Sequence, residues 1–296
     1  MIQRLPNLLA VLLLVSTSTG CGGLRNFDRN NNASPITEAD IGYVELASRY
    51  NQTVRYFDQL WVRNDIKVDW NETLENGRRR SRNLVGDGKF IFVPPRDSAM
   101  TVEHLGTVYL WAGSNDEQYW LFDLTEDDKA VYLGTYEALD RPGTRAMPIP
   151  VRPDSVAYLL GVLPLPVNPD AEDQPIVEEF EGQYFIEPPG LNLRMLIDKE
   201  TFRPTRVYLT DRQGHARLVS YLYDQYPVKV EGLSGQERPI ICKRAEIDVP
   251  GLETRITMTV INATTDSSKI NDKLFEFEVL QNLHRPSVFI NLDGAE

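Results

Sequence analysis

The sequence predicts a mainly β (α+β) protein, an antiparallel strand meander that begins after one helix and is interrupted by another. Three observations lead there. From Trp61 onward apolar residues alternate or come in short blocks, and turn residues punctuate the chain at roughly ten-residue steps. Ahead of that, Ile41, Val44, Tyr50, Val54 and Phe57 recur at steps that lay one apolar stripe on a helix. Between Pro142 and Pro175 a proline-rich interval carries a short segment that is apolar nearly all round.

Residues 1–20 read as an export signal, with Arg4, the apolar run Leu8 to Val15, and Ser18-Thr19-Gly20 ahead of Cys21. A run that short does not span a bilayer, which takes about 20 apolar residues. The Gly20-Cys21 junction resembles the bacterial lipobox, with Ser18 where that pattern usually has an aliphatic residue. The resemblance implies acylation of Cys21, which becomes the N-terminus and is held stably once more than one acyl chain is attached. An ordinary secretory signal followed by a coincidental cysteine is the alternative. Residues 21–36, with Asn30-Asn31-Asn32, bury almost nothing and read as a flexible tether.

Residues 37–296 are expected to form one domain, within the size range of a single core. Cleavage after Gly20 removes only Arg4 among the charges and moves the net charge from −12 to −13. So acidic a chain repels nucleic-acid phosphates and anionic headgroups alike. Cys21 and Cys242 are the two cysteines, and acylation of the first leaves no intrachain disulfide. Cys242, in Pro239-Ile240-Ile241-Cys242, reads as a small buried hydrophobe in a strand, with a reactive thiol as the alternative.

Within the domain, Thr37 is placed to cap a helix with Glu38 and Asp40 in its first turn, running to about Gln59. Gly86-Asp87-Gly88 reads as a turn before a strand Lys89 to Val93, which Pro94-Pro95 ends. Thr107 to Ala112 and Gln118 to Leu124 flank Gly113-Ser114-Asn115-Asp116 and make the clearest hairpin. Further strands are expected over 131–136, 183–187, 191–197, 205–210, 216–225, 240–248 and 254–262, with Pro250-Gly251 turning between the last two. In the proline-rich interval Asp154 is placed to cap an apolar helix, Ser155 to Leu163, and Pro164, Pro166 and Pro169 hold its exit extended. Such a helix must be buried or must cover something apolar.

Nothing in the residue pattern supplies catalysis. His104, His215 and His284 are isolated from one another, and no Gly-x-Ser-x-Gly is present. Glu126-Asp127-Asp128 reads as a solvated hairpin tip, with a weak calcium site as the alternative. Arg78-Arg79-Arg80 with Arg82 reads as a charged strand face that discourages edge pairing, or as a contact for an anionic group. No metal and no cofactor are expected.

Phe90, Phe92, Tyr109, Trp111, Tyr119, Trp120 and Phe122 fall on adjacent strands and on both faces. Tyr109 and Trp111 share a face, as do Trp120 and Phe122. Core packing accounts for one face; the other requires a ligand, a lid or a partner.

The order of these pieces resembles the LolA/LolB-type lipoprotein-carrier superfamily. So do Leu196-Ile197-Asp198-Lys199-Glu200-Thr201, Pro204-Thr205-Arg206-Val207, Asp211-Arg212-Gln213-Gly214, and Ile270 through Phe277. The resemblance implies an incompletely closed antiparallel β-barrel with an N-terminal helix and an inserted helical lid over an apolar cavity. The lining expected for that cavity is Tyr158, Leu159, Leu163, Tyr109, Trp111, Trp120 and Phe122. Gly22 after Cys21 is not the Asp associated with inner-membrane retention, so the resemblance implies an outer-membrane lipoprotein facing the periplasm. Its partner would be a lipid or acyl-chain ligand, bound without chemistry. A structural or assembly lipoprotein that docks an envelope protein and carries no ligand is the alternative, and an envelope hydrolase is a third reading.

Overall fold

Two long strands, β2 (Leu60–Thr73) and β3 (Arg79–Val93), form the centre of the fold, paired from Leu60↔Phe92 to Thr73↔Arg79. They belong to a computed structural model that describes residues 36–73, 79–125, 128–136, 151–171 and 173–294, all within the unit Ser34–Glu296. Ahead of them come β1 (Thr37–Glu38) and α1 (Tyr43–Val54). After them come β4 (Asp97–His104), β5 (Thr107–Ser114), β6 (Gln118–Asp123), β7 (Ala130–Thr135) and α2 (Pro153–Leu159). Then follow β8 (Glu178–Phe180), β9 (Gln183–Ile186), β10 (Leu193–Ile197), β11 (Pro204–Thr210) and β12 (Ala216–Pro227). The chain ends with β13 (Ile240–Val249), β14 (Thr254–Thr264), α3 (Phe277–His284) and β15 (Val288–Asn291).

Among the described residues all strands join one sheet in the order β1-β8-β9-β10-β11-β12-β13-β14-β2-β3-β4-β5-β6-β7-β15. The pairs are antiparallel except β7 with β15, which is parallel. The two end strands do not pair with each other, so the fold is mostly β in one large, unclosed sheet, as the sequence predicts. Both edges are short, two residues in β1 and four in β15, which limits the backbone left open for edge pairing.

Several boundaries differ from the expectation. Thr37 and Glu38 pair with Glu179 and Glu178 instead of opening a helix, and Gly42 takes the N-cap position of α1. That helix stops at Val54, short of Gln59, and buries Tyr43, Leu46, Ala47, Tyr50 and Val54. Gly86-Asp87-Gly88 is no turn but lies inside β3, opposite Ile66, Asp65 and Asn64. A Cβ on Gly88 would stand 2.2 Å from Asn64 Oδ1 and 2.3 Å from Ile66 Cδ1, so this glycine lets neighbouring side chains cross the strand. β4 escaped the sequence reading because its buried positions include Ser98 and Thr101, which break the apolar pattern. The hairpin of β5 and β6 forms where expected, but Gly113 and Ser114 extend β5 by pairing with Trp120 and Tyr119 and narrow the turn to 115–117, and the turn at Gly251 (φ +84°) is in place.

Alternation along β3 to β6 sorts side chains onto two faces. Phe90, Phe92, Met100, Val102, Leu110, Ala112, Tyr119 and Leu121 join α1, α2 and the remaining strands in one large core on the concave face. On the other face Trp120, Phe122, Val131 and Leu280 form a second cluster, and Ile91, Ala99 and Phe275 a third. The chain covers this outer face with its own end, α3 and the turn before it.

Candidate functional site

Residues 151–165 fill the concave face. Arg152 (φ −72°, ψ 141°) precedes α2 in extended backbone, and Pro153 sits in its first turn, where a missing N–H costs nothing. Asp154 lies in that first turn, so it is not the cap, and the helix is Pro153–Leu159 where Ser155 to Leu163 is expected. α2 touches β4, β5 and β6 and also β11, strands far apart in the sheet order, so the sheet curls around it. Its end is set by Gly161 at φ +64°, where a Cβ would also meet Pro204 Cγ at 2.3 Å.

Beyond Gly161 the segment is extended and unpaired with the sheet, and Pro164 and Pro166 lack the N–H that a ladder needs. Its carbonyls still require donors, because buried backbone polar groups are costly when unpaired. α1 supplies them. The Tyr50 hydroxyl lies 2.9 Å from the carbonyl oxygens of both Gly161 and Leu163, and Tyr43 Oη donates to Pro166 O at 2.9 Å. Asn51 Nδ2 donates to Leu165 O at 2.9 Å and Asn51 Oδ1 accepts from Leu165 N at 2.7 Å. Positions 43, 50 and 51 are seven and eight apart, so one side of a helix holds the carbonyls of Gly161, Leu163, Leu165 and Pro166. Burial raises both phenols, Tyr43 to about 12, which keeps them protonated donors.

At the start of the segment lies a polar group of residues. Asp154 is 7% exposed, pairs with Arg152 at 3.3 Å, and its Oδ1 makes no hydrogen bond among the described residues. Burial raises its carboxyl above the usual carboxylate range, and Arg152 and Arg96 only partly offset that. Arg96 stacks over Tyr136 at 4.1 Å, and the same ring lies 5.9 Å from Arg152. Burial, with Asp154 nearby, pushes the Tyr136 phenol up to about 12.

The expected lining residues separate onto two faces. Leu159 and Leu163 are buried in the concave core, and Tyr158 and Tyr109 pack against it half-buried. Trp111, Trp120 and Phe122 belong to the outer cluster, where Phe277 lies 5.6 Å from Trp120 and His284 lies 5.1 Å from Trp111. The seven therefore do not line one cavity: alternation on β6 turns Trp120 and Phe122 toward α3, and a register shift between β4 and β5 at Tyr109 parts it from Trp111, with which the sequence places it on one face. Among the described residues, the gap bounded by Tyr50, Tyr158, Leu163, Pro164, Leu165, Leu191, Leu193 and Met195 has room for no water molecule.

The remaining residues singled out in the sequence are dispersed. His104 is exposed at the end of β4, His215 lies 3.5 Å from Asp211, and His284 ends α3 and packs against Phe122. Arg79 pairs with Glu253 at 3.1 Å and ties the β2–β3 hairpin to the β13–β14 turn. Cys242 packs against the concave core, and burial raises its thiol to about 12, which disfavours the reactive thiolate. Cys21, the signal and the tether through Pro35, Arg78, Glu126 and Asp127 lie outside the described residues. Sequence reasoning missed Tyr43 and Asn51 as tethers. Their spacing with Tyr50 was visible, but the carbonyls they meet lie more than a hundred residues away.

Fold and site together define an unclosed antiparallel sheet wrapped around a segment of its own chain. No protein-family model matches the sequence, and no curated protein matches it. Among solved structures, the chain is similar to a DUF1329 family protein from Desulfovibrio piger, at 13% identity over 80% of this chain and 97% of that one, with a TM-score of 0.47. It is also similar to a LolA superfamily protein from Nitrosomonas europaea, at 10% identity over 80% of this chain and 99% of that one, with a TM-score of 0.43. Likenesses at this level carry no functional weight.

Proposed function

We propose that this protein is an envelope lipoprotein, anchored through Cys21 in the outer membrane and facing the periplasm, that binds a long acyl chain in the space residues 151–165 now fill. No catalysis is involved. The observation that carries the reading is that the concave face is occupied by an inserted segment outside the sheet ladder, held by three side chains of α1. Ligand entry is then an exchange of one apolar occupant for another. An acyl chain of about sixteen carbons gains roughly 13 kcal/mol on burial at about 0.8 kcal/mol per methylene. The seven large aliphatics of the segment (Val151, Val156, Leu159, Leu160, Val162, Leu163 and Leu165) are buried. At about 2 kcal/mol each they represent a similar gain, so the exchange is close to balanced. Asp154 favours release, since burial disfavours its carboxylate and the nearby Arg152 and Arg96 only partly offset that. In this reading Leu159, Leu163 and Tyr158 move aside with the segment, and the concave face of the strands lines the ligand.

The closed packing around Tyr50 and Leu163 favours a second reading, a structural or assembly lipoprotein that docks an envelope protein and holds its own segment permanently. Titration of the full chain with a fluorescent long-chain fatty acid separates the two. Tyr50→Phe removes the hydroxyl that holds Gly161 and Leu163, and about 1.4 kcal/mol taken from segment docking tightens an exchanging ligand about tenfold. Saturable binding that tightens in Tyr50→Phe supports exchange. Absence of saturable binding in both proteins, with unaltered fold, supports the assembly role.

A further inference from the structure

We propose that the groove at the C-terminal end of α1 is an anion site, built to take a phosphate-bearing group. The groove has a volume of about 440 Å³ and lies between α1, the β10–β11 turn and the residues just before β13. Arg49, Arg55, Arg203 and Arg238 line it against a single lining carboxylate, Glu237. In a chain of net charge −12, four guanidiniums around one cavity are a local reversal of sign. The acidic remainder is screened beyond about 8 Å at physiological salt, so a bound anion feels chiefly the arginines.

The turn from Asp198 to Arg203 sets two of the walls. Asp198 Oδ1 accepts from the backbone N–H of Glu200 at 3.2 Å and of Thr201 at 2.8 Å, and Asp198 N donates to Arg203 O at 2.9 Å. Phe202 is held at φ +53°, a left-handed conformation unusual for an aromatic residue, and its ring lies 4.8 Å beneath the Arg49 guanidinium. Arg203 brings a buried Nε that has no hydrogen-bond partner among the described residues. Burial also lowers its pKa, as expected of a cation lacking a close anion. Glu237 accepts from Ser234 N at 3.5 Å, and Glu45 pairs with Arg49 at 2.5 Å, which offsets one of the four guanidiniums and leaves Arg55, Arg203 and Arg238 to carry the positive field of the groove. Guanidinium groups bind phosphate through paired N–H donors, and Arg203 Nε is a buried donor that no described group takes up.

A phosphate group reaches such a groove on a lipid headgroup or as a free anion, and the test separates these. Calorimetric titration of the full chain uses inorganic phosphate and, separately, dihexanoyl phosphatidate kept monomeric. Saturable binding of at least one probe is expected, weakened about tenfold or more by Arg203→Met and reduced by Arg49→Met. Arg49 is exposed, so its variant keeps the test valid if loss of Arg203 perturbs the fold. Binding of phosphatidate alone assigns a lipid headgroup, and equal binding of both assigns the free anion. Failure of both probes to saturate below about 10 mM overturns the site, as does binding that neither substitution alters.

Discussion

Asn51 and Leu165 exchange a reciprocal pair of hydrogen bonds, side-chain amide to backbone peptide, at 2.9 and 2.7 Å. The Asn51 amide stands in for the neighbouring strand that Leu165 lacks, since Pro164 and Pro166 on either side keep this stretch out of the sheet ladder. Asn51→Ala leaves the N–H and the carbonyl of Leu165 unpaired, at a cost of about 1 to 3 kcal/mol. Urea unfolding should show that loss. Hydrogen exchange should show the Leu165 amide losing protection before the amides of β2 and β3, which would mark the segment after Gly161 as a unit that opens separately from the sheet.

Asp154 gives the segment a pH dependence whose sign follows from its raised pKa. Well below its ordinary value of 3.8 the carboxyl is protonated in both the folded and the unfolded chain and carries no penalty. As pH rises through 3.8 the unfolded chain ionises first, and the folded chain loses relative stability until its own carboxyl ionises at higher pH. Asp154→Asn removes this loss. The variant should gain stability over the parent on going from about pH 3 to about pH 7, read as the difference between their urea midpoints. A variant that is less stable than the parent at the upper pH alone would show that the Arg152 pair outweighs the burial of the carboxylate.

What the sequence disclosed follows from the range of the forces involved. Strand alternation, the turn at Asn115 and the apolar character of residues 155–163 are local, and each stands in the structure close to where the pattern puts it. The start of α1 was misplaced because Thr37 and Glu38 are recruited by Glu179 and Glu178, a pairing that no local signal announces. Gly86 and Gly88 carry turn chemistry on paper, yet they serve the close approach of Asn64, Ile66 and Glu103 across the sheet. The apolar site was half legible: the inserted segment was found, but its role as occupant of the interior depends on Tyr43, Tyr50 and Asn51, whose partners are remote in the chain. The groove of arginines was not visible at all, because Arg49, Arg203 and Arg238 are brought together only by folding.

The outer aromatic cluster separates packing from binding. Sequence alternation leaves Trp120 and Phe122 facing away from the concave core, and α3 answers that need with Phe277, Leu280 and His284. Leu280 is 2% exposed, so Leu280→Ala removes buried aliphatic volume from the middle of the contact and should destabilise the protein by about 2 to 5 kcal/mol. α3 is only eight residues long and has no other large buried side chain, so the loss should also loosen the helix. Acrylamide quenching of tryptophan emission should increase as Trp111 and Trp120 lose their cover. A fatty-acid ligand that enters the concave face leaves this cluster intact, so its affinity should be about the same in Leu280→Ala as in the parent at temperatures where both are folded. An affinity that falls together with the stability of α3 would instead place the ligand beneath that helix, against Trp111, Trp120 and Phe122, and would move the acyl site to the outer face of the sheet.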